Sequence, residues 1–429
     1  MARIDYNMPM TNTIFTFPSG LRLVYKHIPT VRSVGIAVMT ACGSGNETLD
    51  NNGISHFIEH MMFKGTTSRT AFEIVDYVDS LGAQINAFTS KQTTCYYTIS
   101  LDDIAPKCIE VLSDILFNST FDEQELERER GVVLEEISMS EDDNADIVID
   151  YLADAYFGDN PLGMTILGPR ENINKFSRQN LIDYIKSNYV AQNTVVTIVG
   201  NMDYNMAKDL VREHFEGKFK SDNARIWQDK KYQGVPDYVY KFKDIEQSNI
   251  ALAMPAYEYD HPNVMAMMIA NFVLGGGMSS RLFQEIREKQ GLAYNVYSYP
   301  STYVNNGVMT LYIGTNLASV EKAVVSTKKL LQDMCKNGIS EQEFTKAVQQ
   351  LKTSYVLGQE STSSQMRVYA KNAIYTGELF DIDKRIQAVD SLTVDDINQV
   401  IKECFDVSKA SISYVGKEIK SNLLDLLKG

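Results

Sequence analysis

The chain has 429 residues, 44% hydrophobic and 22% charged, with no apolar run near the eighteen or so residues that span a bilayer, so a globular protein of two or three domains is expected. Its formal charge of −14 argues against nucleic-acid partners and against anionic membrane surfaces. Five cysteines without a C-x-x-C pair indicate free thiols in a reducing compartment, and Met1-Ala2-Arg3-Ile4-Asp5-Tyr6 has neither an apolar signal core nor a transit pattern, so the cytoplasm is the expected location.

Gly20-Leu21-Arg22-Leu23-Val24-Tyr25 and Ser33-Val34-Gly35-Ile36-Ala37-Val38 read as strands ahead of the first helix. That helix is Gly53-Ile54-Ser55-His56-Phe57-Ile58-Glu59-His60-Met61-Met62-Phe63, with Asn51 or Asn52 to cap its start and Gly65 to end it. Two of the five histidines sit there, four residues apart around a glutamate. Positions i and i+4 share a helix face and i+3 lies beside them, so His56, Glu59 and His60 converge. Two neutral imidazoles and a carboxylate are what a catalytic zinc site needs: two ligands, and a base for the attacking water. The alternative is a pair of surface histidines, but a polar trio inside so apolar a run is poorly placed as solvated surface. The order H-x-x-E-H inverts the H-E-x-x-H of most zinc peptidases and is the inverzincin signature.

Leu81-Gly82-Ala83-Gln84-Ile85-Asn86-Ala87-Phe88-Thr89-Ser90 reads as a strand flanked by turns, and Thr93-Thr94-Cys95-Tyr96-Tyr97-Thr98-Ile99-Ser100 as another. A catalytic zinc usually takes three protein ligands. His27, His214 and His261 sit in no convincing motif, so a carboxylate is expected, and the candidates crowd into a helix over 122–139. At about 100° per residue, Leu126, Val133 and Ile137 form its apolar stripe. Glu129 and Glu136 lie within about 20° of each other on one edge of that stripe. Glu127 and Glu135 point elsewhere, so the helical phase prefers Glu136 or Glu129 over Glu135.

Residues 176–200 can be laid on 392–416 at a constant shift of 216, Leu181 on Ile397, Ile185 on Ile401 and Gly200 on Gly416, each copy a capped helix, a break and a strand ending in Val-Gly. Glu123-Gln124-Glu125-Leu126 resembles Glu341-Gln342-Glu343-Phe344 at a shift of 218. The pattern implies a duplication: a metal-binding half over 1–217, a polar linker over 218–235 and a similar half over 236–429 without the metal motif, since His56 falls on Phe272 and His60 on Gly276. Strands and helices without strict alternation give an α+β class: two similar α/β sandwich domains, each a mainly antiparallel sheet with packed helices. In the second half Gly275-Gly276-Gly277-Met278-Ser279-Ser280-Arg281 precedes a helical 282–289 segment. It matches neither a P-loop nor a dinucleotide fingerprint, so nucleotide binding is not expected.

His56 and His60, followed by Glu136 in Val132-Val133-Leu134-Glu135-Glu136-Ile137, resemble the zinc signature of the pitrilysin/insulysin family, nearest its mitochondrial processing peptidase-like bacterial branch. The resemblance extends through Met61-Met62-Phe63-Lys64-Gly65-Thr66 and over essentially the whole chain. It implies a zinc metalloendopeptidase with one zinc per chain on His56, His60 and Glu136, Glu59 as general base, and Glu129 supporting the ligands from behind. It further implies that the strand bearing Asn86, Ala87 and Phe88 is an exposed edge to which a peptide or unfolded segment adds by backbone pairing. Gly275, Gly276 and Gly277 would line the substrate chamber, and Arg287 and Tyr294 would stabilise the oxyanion. A chamber in that family is built from four such half-units, so a homodimer is implied. The rival expectation is a non-catalytic or heteromeric partner subunit, since the family includes members that have lost the metal motif.

Overall fold

A computed structural model describes residues 11–219, 231–232 and 234–429, so most of the expected linker, 218–235, lies outside the described residues. The first sheet holds β1 (Asn12–Thr16), β2 (Arg22–His27), β3 (Ser33–Thr40), β4 (Gln84–Thr89), β5 (Thr94–Leu101) and β6 (Thr194–Gly200), in the order β1-β2-β6-β3-β5-β4. The second holds β7 (Tyr238–Phe242), β8 (Gln247–Pro255), β9 (Ala293–Thr302), β10 (Gly307–Asn316) and β11 (Ser411–Gly416), in the order β7-β11-β8-β10-β9. Strand for strand, the second order repeats the first without β1. In each sheet the late strand enters the middle, β6 parallel to β2 and β11 parallel to β7, and the other pairings are antiparallel. The duplication read at the shift of 216 is therefore present as topology.

The same local chemistry starts both late segments. Ser177 and Asn180 form a reciprocal capping box on helix Arg178–Asn188, and Thr393 and Asp396 form one on Val394–Cys404. The strands that follow, β6 and β11, are buried along their whole length. Burial on both faces explains why β6 reads as a near-continuous β-branched run, whereas β11 alternates and buries Ser411 and Ser413 as hydrogen-bond donors.

The compact units are not the plain sequence halves. One comprises Met1–Glu135, Thr165–Trp227 and Gly358–Phe380; the other comprises Glu136–Met164, Gln228–Leu357 and Asp381–Gly429. Each half thus gives a helix to the sheet of the other. In the first unit, helix Thr362–Thr376 lies on β3 and β6, with Arg22 Nη1 donating to the Ala373 carbonyl oxygen at 2.8 Å and Lys26 Nζ to the Tyr369 hydroxyl at 2.9 Å. In the second, helix Asn144–Phe157 lies on β8 and β11, where Ser411 and Ser413 donate to the Ala155 and Val148 carbonyl oxygens at 3.0 and 2.6 Å. These two helices stand 218 residues apart, so the exchange is reciprocal. Among the described residues, no helix is long and apolar enough to cross a membrane.

Candidate metal centre

The helix Ile54–Met61 begins at Gly53, whose φ is +97° and whose added Cβ would lie 2.6 Å from the Leu167 carbonyl oxygen. Contrary to expectation, neither Asn51 nor Asn52 caps it. Asn51 accepts from Thr48, and Asn52 donates to Glu47 and to the Thr165 carbonyl oxygen. Ile54 N donates to the Asn51 carbonyl oxygen at 3.1 Å, and Glu47 takes the N–H groups on either side of it: its carboxylate accepts from Gly53 N at 2.7 Å and Ser55 N at 2.8 Å while only 2% exposed. Burial raises the Glu47 pKa, the donated hydrogen bonds offset part of that rise, and the helix dipole favours the anion. Glu47→Ala strands these buried donors. At about 1–3 kcal/mol for each unsatisfied group, a loss near 3 kcal/mol is expected, read as a lower midpoint in chemical denaturation.

Side-chain atoms of His56, His60 and Glu136 lie within 4.8 Å of one another, the sole such group of three among the described residues. The two imidazole centroids are 4.7 Å apart at an interplanar angle of 70°. His56 is buried, and desolvation together with the nearby charge of His60 lowers its pKa to about 4, which keeps the ring neutral near pH 7. Glu136 sits on helix Glu123–Asp142, half-buried, whereas Glu135 next to it is exposed. The stripe of Leu126, Val133 and Ile137 is buried as the helical phase requires. Seven residues along this helix, Glu136 stands about two turns beyond Glu129.

Glu129 is 3% exposed and holds the group from behind, Oε2 at 3.1 Å from His60 Nδ1 and Oε1 at 2.7 Å from Lys64 Nζ. Burial alone would raise its pKa; the hydrogen bonds from His60 and Lys64 and their charges outweigh burial and leave it lowered. An ionised carboxylate only accepts, so His60 Nδ1–H donates to Glu129, and in the neutral ring that a metal requires this leaves the Nε2 lone pair for a ligand bond. Two neutral nitrogens and a carboxylate on this scale suit zinc, with bonds of about 2.0–2.2 Å. None of the described cysteines forms a disulfide, and none joins the group. Glu59 is half-buried, and its Oε2 accepts from Thr89 Oγ1 at 2.5 Å.

Asn86, Ala87 and Phe88 lie on β4, which among the described residues pairs only with β5 and is a sheet edge beside the histidine helix. Asn86 is exposed, and its Oδ1 accepts from Ala87 N at 2.7 Å. Arg287 and Tyr294 come together in the second unit, the guanidinium 5.1 Å from the centre of the phenol ring, with Tyr294 77% exposed on the edge strand β9. The expected 282–289 helix is a π-helix, Phe283–Lys289. Gly275 is buried and closes helix Val264–Leu274 where a Cβ would meet Ser298 N at 2.6 Å, while Gly276 and Gly277 are exposed. Sequence reasoning missed Glu47, Lys64 and Thr89. The strand containing Thr89 was legible, but no pattern says which helix its hydroxyl meets.

Residues 22–170 match the model of insulinase (peptidase family M16), and 175–351 match that of the peptidase M16 inactive domain. An uncharacterized zinc protease of Bacillus subtilis is 38% identical over 404 residues, 94% of this chain and 98% of the relative. Another uncharacterized zinc protease, from Streptomyces coelicolor, is 36% identical over 94% of this chain and 88% of its own length. The crystal structure of a protease from Helicobacter pylori superimposes with a TM-score of 0.87 at 22% identity, covering 95% of this chain and all of that one.

Proposed function

The chain belongs to peptidase family M16, and from that premise we propose that it is a zinc-dependent endopeptidase acting on peptides or unfolded protein segments. The observation that carries the reading is the convergence of His56, His60 and Glu136, with Glu129 fixing the tautomer of His60. These three residues would hold one zinc ion per chain. Bound there, zinc supplies Lewis acidity, polarising the scissile carbonyl and easing deprotonation of water. Glu59 takes the proton of the attacking water on its carboxylate and hands it to the leaving amine. Arg287 and Tyr294 stabilise negative charge on the carbonyl oxygen as it becomes tetrahedral. A substrate strand pairs along β4, where the Asn86 amide donates to its backbone and Ala87 and Phe88 set the adjacent surface. Gly275, Gly276 and Gly277 belong to the chamber wall, the working form is a homodimer, and the setting is the cytoplasm.

Tyr294→Phe is expected to lower kcat about tenfold or more with unchanged zinc content, because its partner is charge that develops in the transition state. An unchanged kcat returns Tyr294 to a surface role. The reading itself is tested by offering one polypeptide in its folded, disulfide-linked form and in its reduced, unfolded form, with and without a chelator. Cleavage of the unfolded form alone, abolished by chelation, supports it, because pairing with an edge strand requires an extended backbone. Zinc-loaded protein without turnover on any unfolded chain favours the alternative, a non-catalytic or heteromeric partner subunit.

A further inference from the structure

We propose that Thr89 is the positioning residue of the base: the last residue of the edge strand β4 holds the Glu59 carboxylate in line for proton transfer, so that the strand that receives substrate also sets the base. The inference rests on the peptidase reading with Glu59 as base. Thr89 Oγ1 donates to Glu59 Oε2 at 2.5 Å, which ties the far end of the Glu59 side chain to β4.

Glutamate reaches from its helix through three rotatable bonds, so its carboxylate sweeps a wide arc unless it is anchored at its far end. Thr89 provides that anchor from a rigid position. It is paired with Thr94 of β5, and the turn beyond it is closed by Ser90 N donating to the Thr93 carbonyl oxygen at 2.8 Å. Thr94 is fully buried and donates to the Cys42 carbonyl oxygen at 2.9 Å. The turn is tied again by Ser44 N donating to the Ser90 carbonyl oxygen at 3.2 Å. Strand alternation puts Ala87 and Thr89 on one face and Asn86 and Phe88 on the other. The residues that meet substrate and the residue that meets the base are therefore neighbours on one short strand.

The test is Thr89→Val, which keeps the β-branched shape and removes only the hydroxyl. We expect kcat to fall about ten- to a hundredfold with KM, zinc content and melting temperature close to wild type, and Thr89→Ser to recover most of the loss. In a Glu59→Gln background, Thr89→Val should add no further loss, because the group it positions no longer takes a proton. Undiminished kcat in Thr89→Val, a loss confined to KM or zinc content, or full additivity with Glu59→Gln overturns the proposal. If Glu59→Gln is inactive while Thr89→Val is fully active, only the role of Thr89 fails. If Glu59→Gln itself stays active, the peptidase reading fails and this proposal with it.

Discussion

Glu59→Gln is expected to keep one zinc per chain and to lose peptide hydrolysis by about 10²–10⁴-fold, the usual worth of a positioned general base. Glutamine preserves the length and shape of the side chain, and its carbonyl oxygen still accepts the hydrogen bond from Thr89 that the carboxylate accepts now. What it cannot do is take a proton from water and return it to the leaving amine. His56 and His60, which flank Glu59 on the same helix, are untouched by the change, so metal content separates loss of the base from loss of the site. Activity within tenfold of wild type contradicts the role assigned to Glu59.

The second large effect is loss of the metal itself. His60→Ala and Glu136→Gln each remove one of the three converging donors, and both are expected to fall well below stoichiometric zinc and to lose hydrolysis with it. Glu129→Gln should behave differently. It removes the anion that fixes the His60 tautomer and pairs with Lys64 but leaves the three donors, so metal affinity should fall only about 10–100-fold and added zinc should restore activity. Metal titration of these three variants and of Glu135→Gln, followed by turnover at saturating zinc, measures both effects. Normal zinc binding by Glu136→Gln, with loss in Glu135→Gln or Glu129→Gln, assigns the third ligand elsewhere.

Much of this centre was legible because a helix is a ruler. The spacing of His56, Glu59 and His60 fixes their convergence, and the phase of Leu126, Val133 and Ile137 turns Glu129 and Glu136 inward and Glu135 outward, as the structure has them. The duplicated sheets were legible for a related reason: capped helix, break and strand recur as one unit at a fixed shift. Contacts decided by three-dimensional packing were not. Helix Asn144–Phe157 and its counterpart Thr362–Thr376 each show an apolar face, but a face does not say which sheet it will cover, and both cover the sheet of the other half. Glu47 sits in no local pattern, yet it is the buried cap of the histidine helix, and the side chains of Asn51 and Asn52, better caps by residue type, are turned to other partners. Thr89 is hidden in the same way, its role set by which helix β4 lies beside.

The central claim is that His56, His60 and Glu136 hold a single zinc ion on which hydrolysis depends. Its most direct test is to strip the protein with chelator, titrate zinc back, and record bound metal and turnover of an unfolded polypeptide at each step. The account predicts turnover that is absent in the metal-free protein, rises in proportion to bound zinc and saturates at one ion per chain. In the His56→Ala, His60→Ala double variant neither signal should rise. Hydrolysis that persists without metal, or zinc bound at full stoichiometry by that double variant, would contradict it.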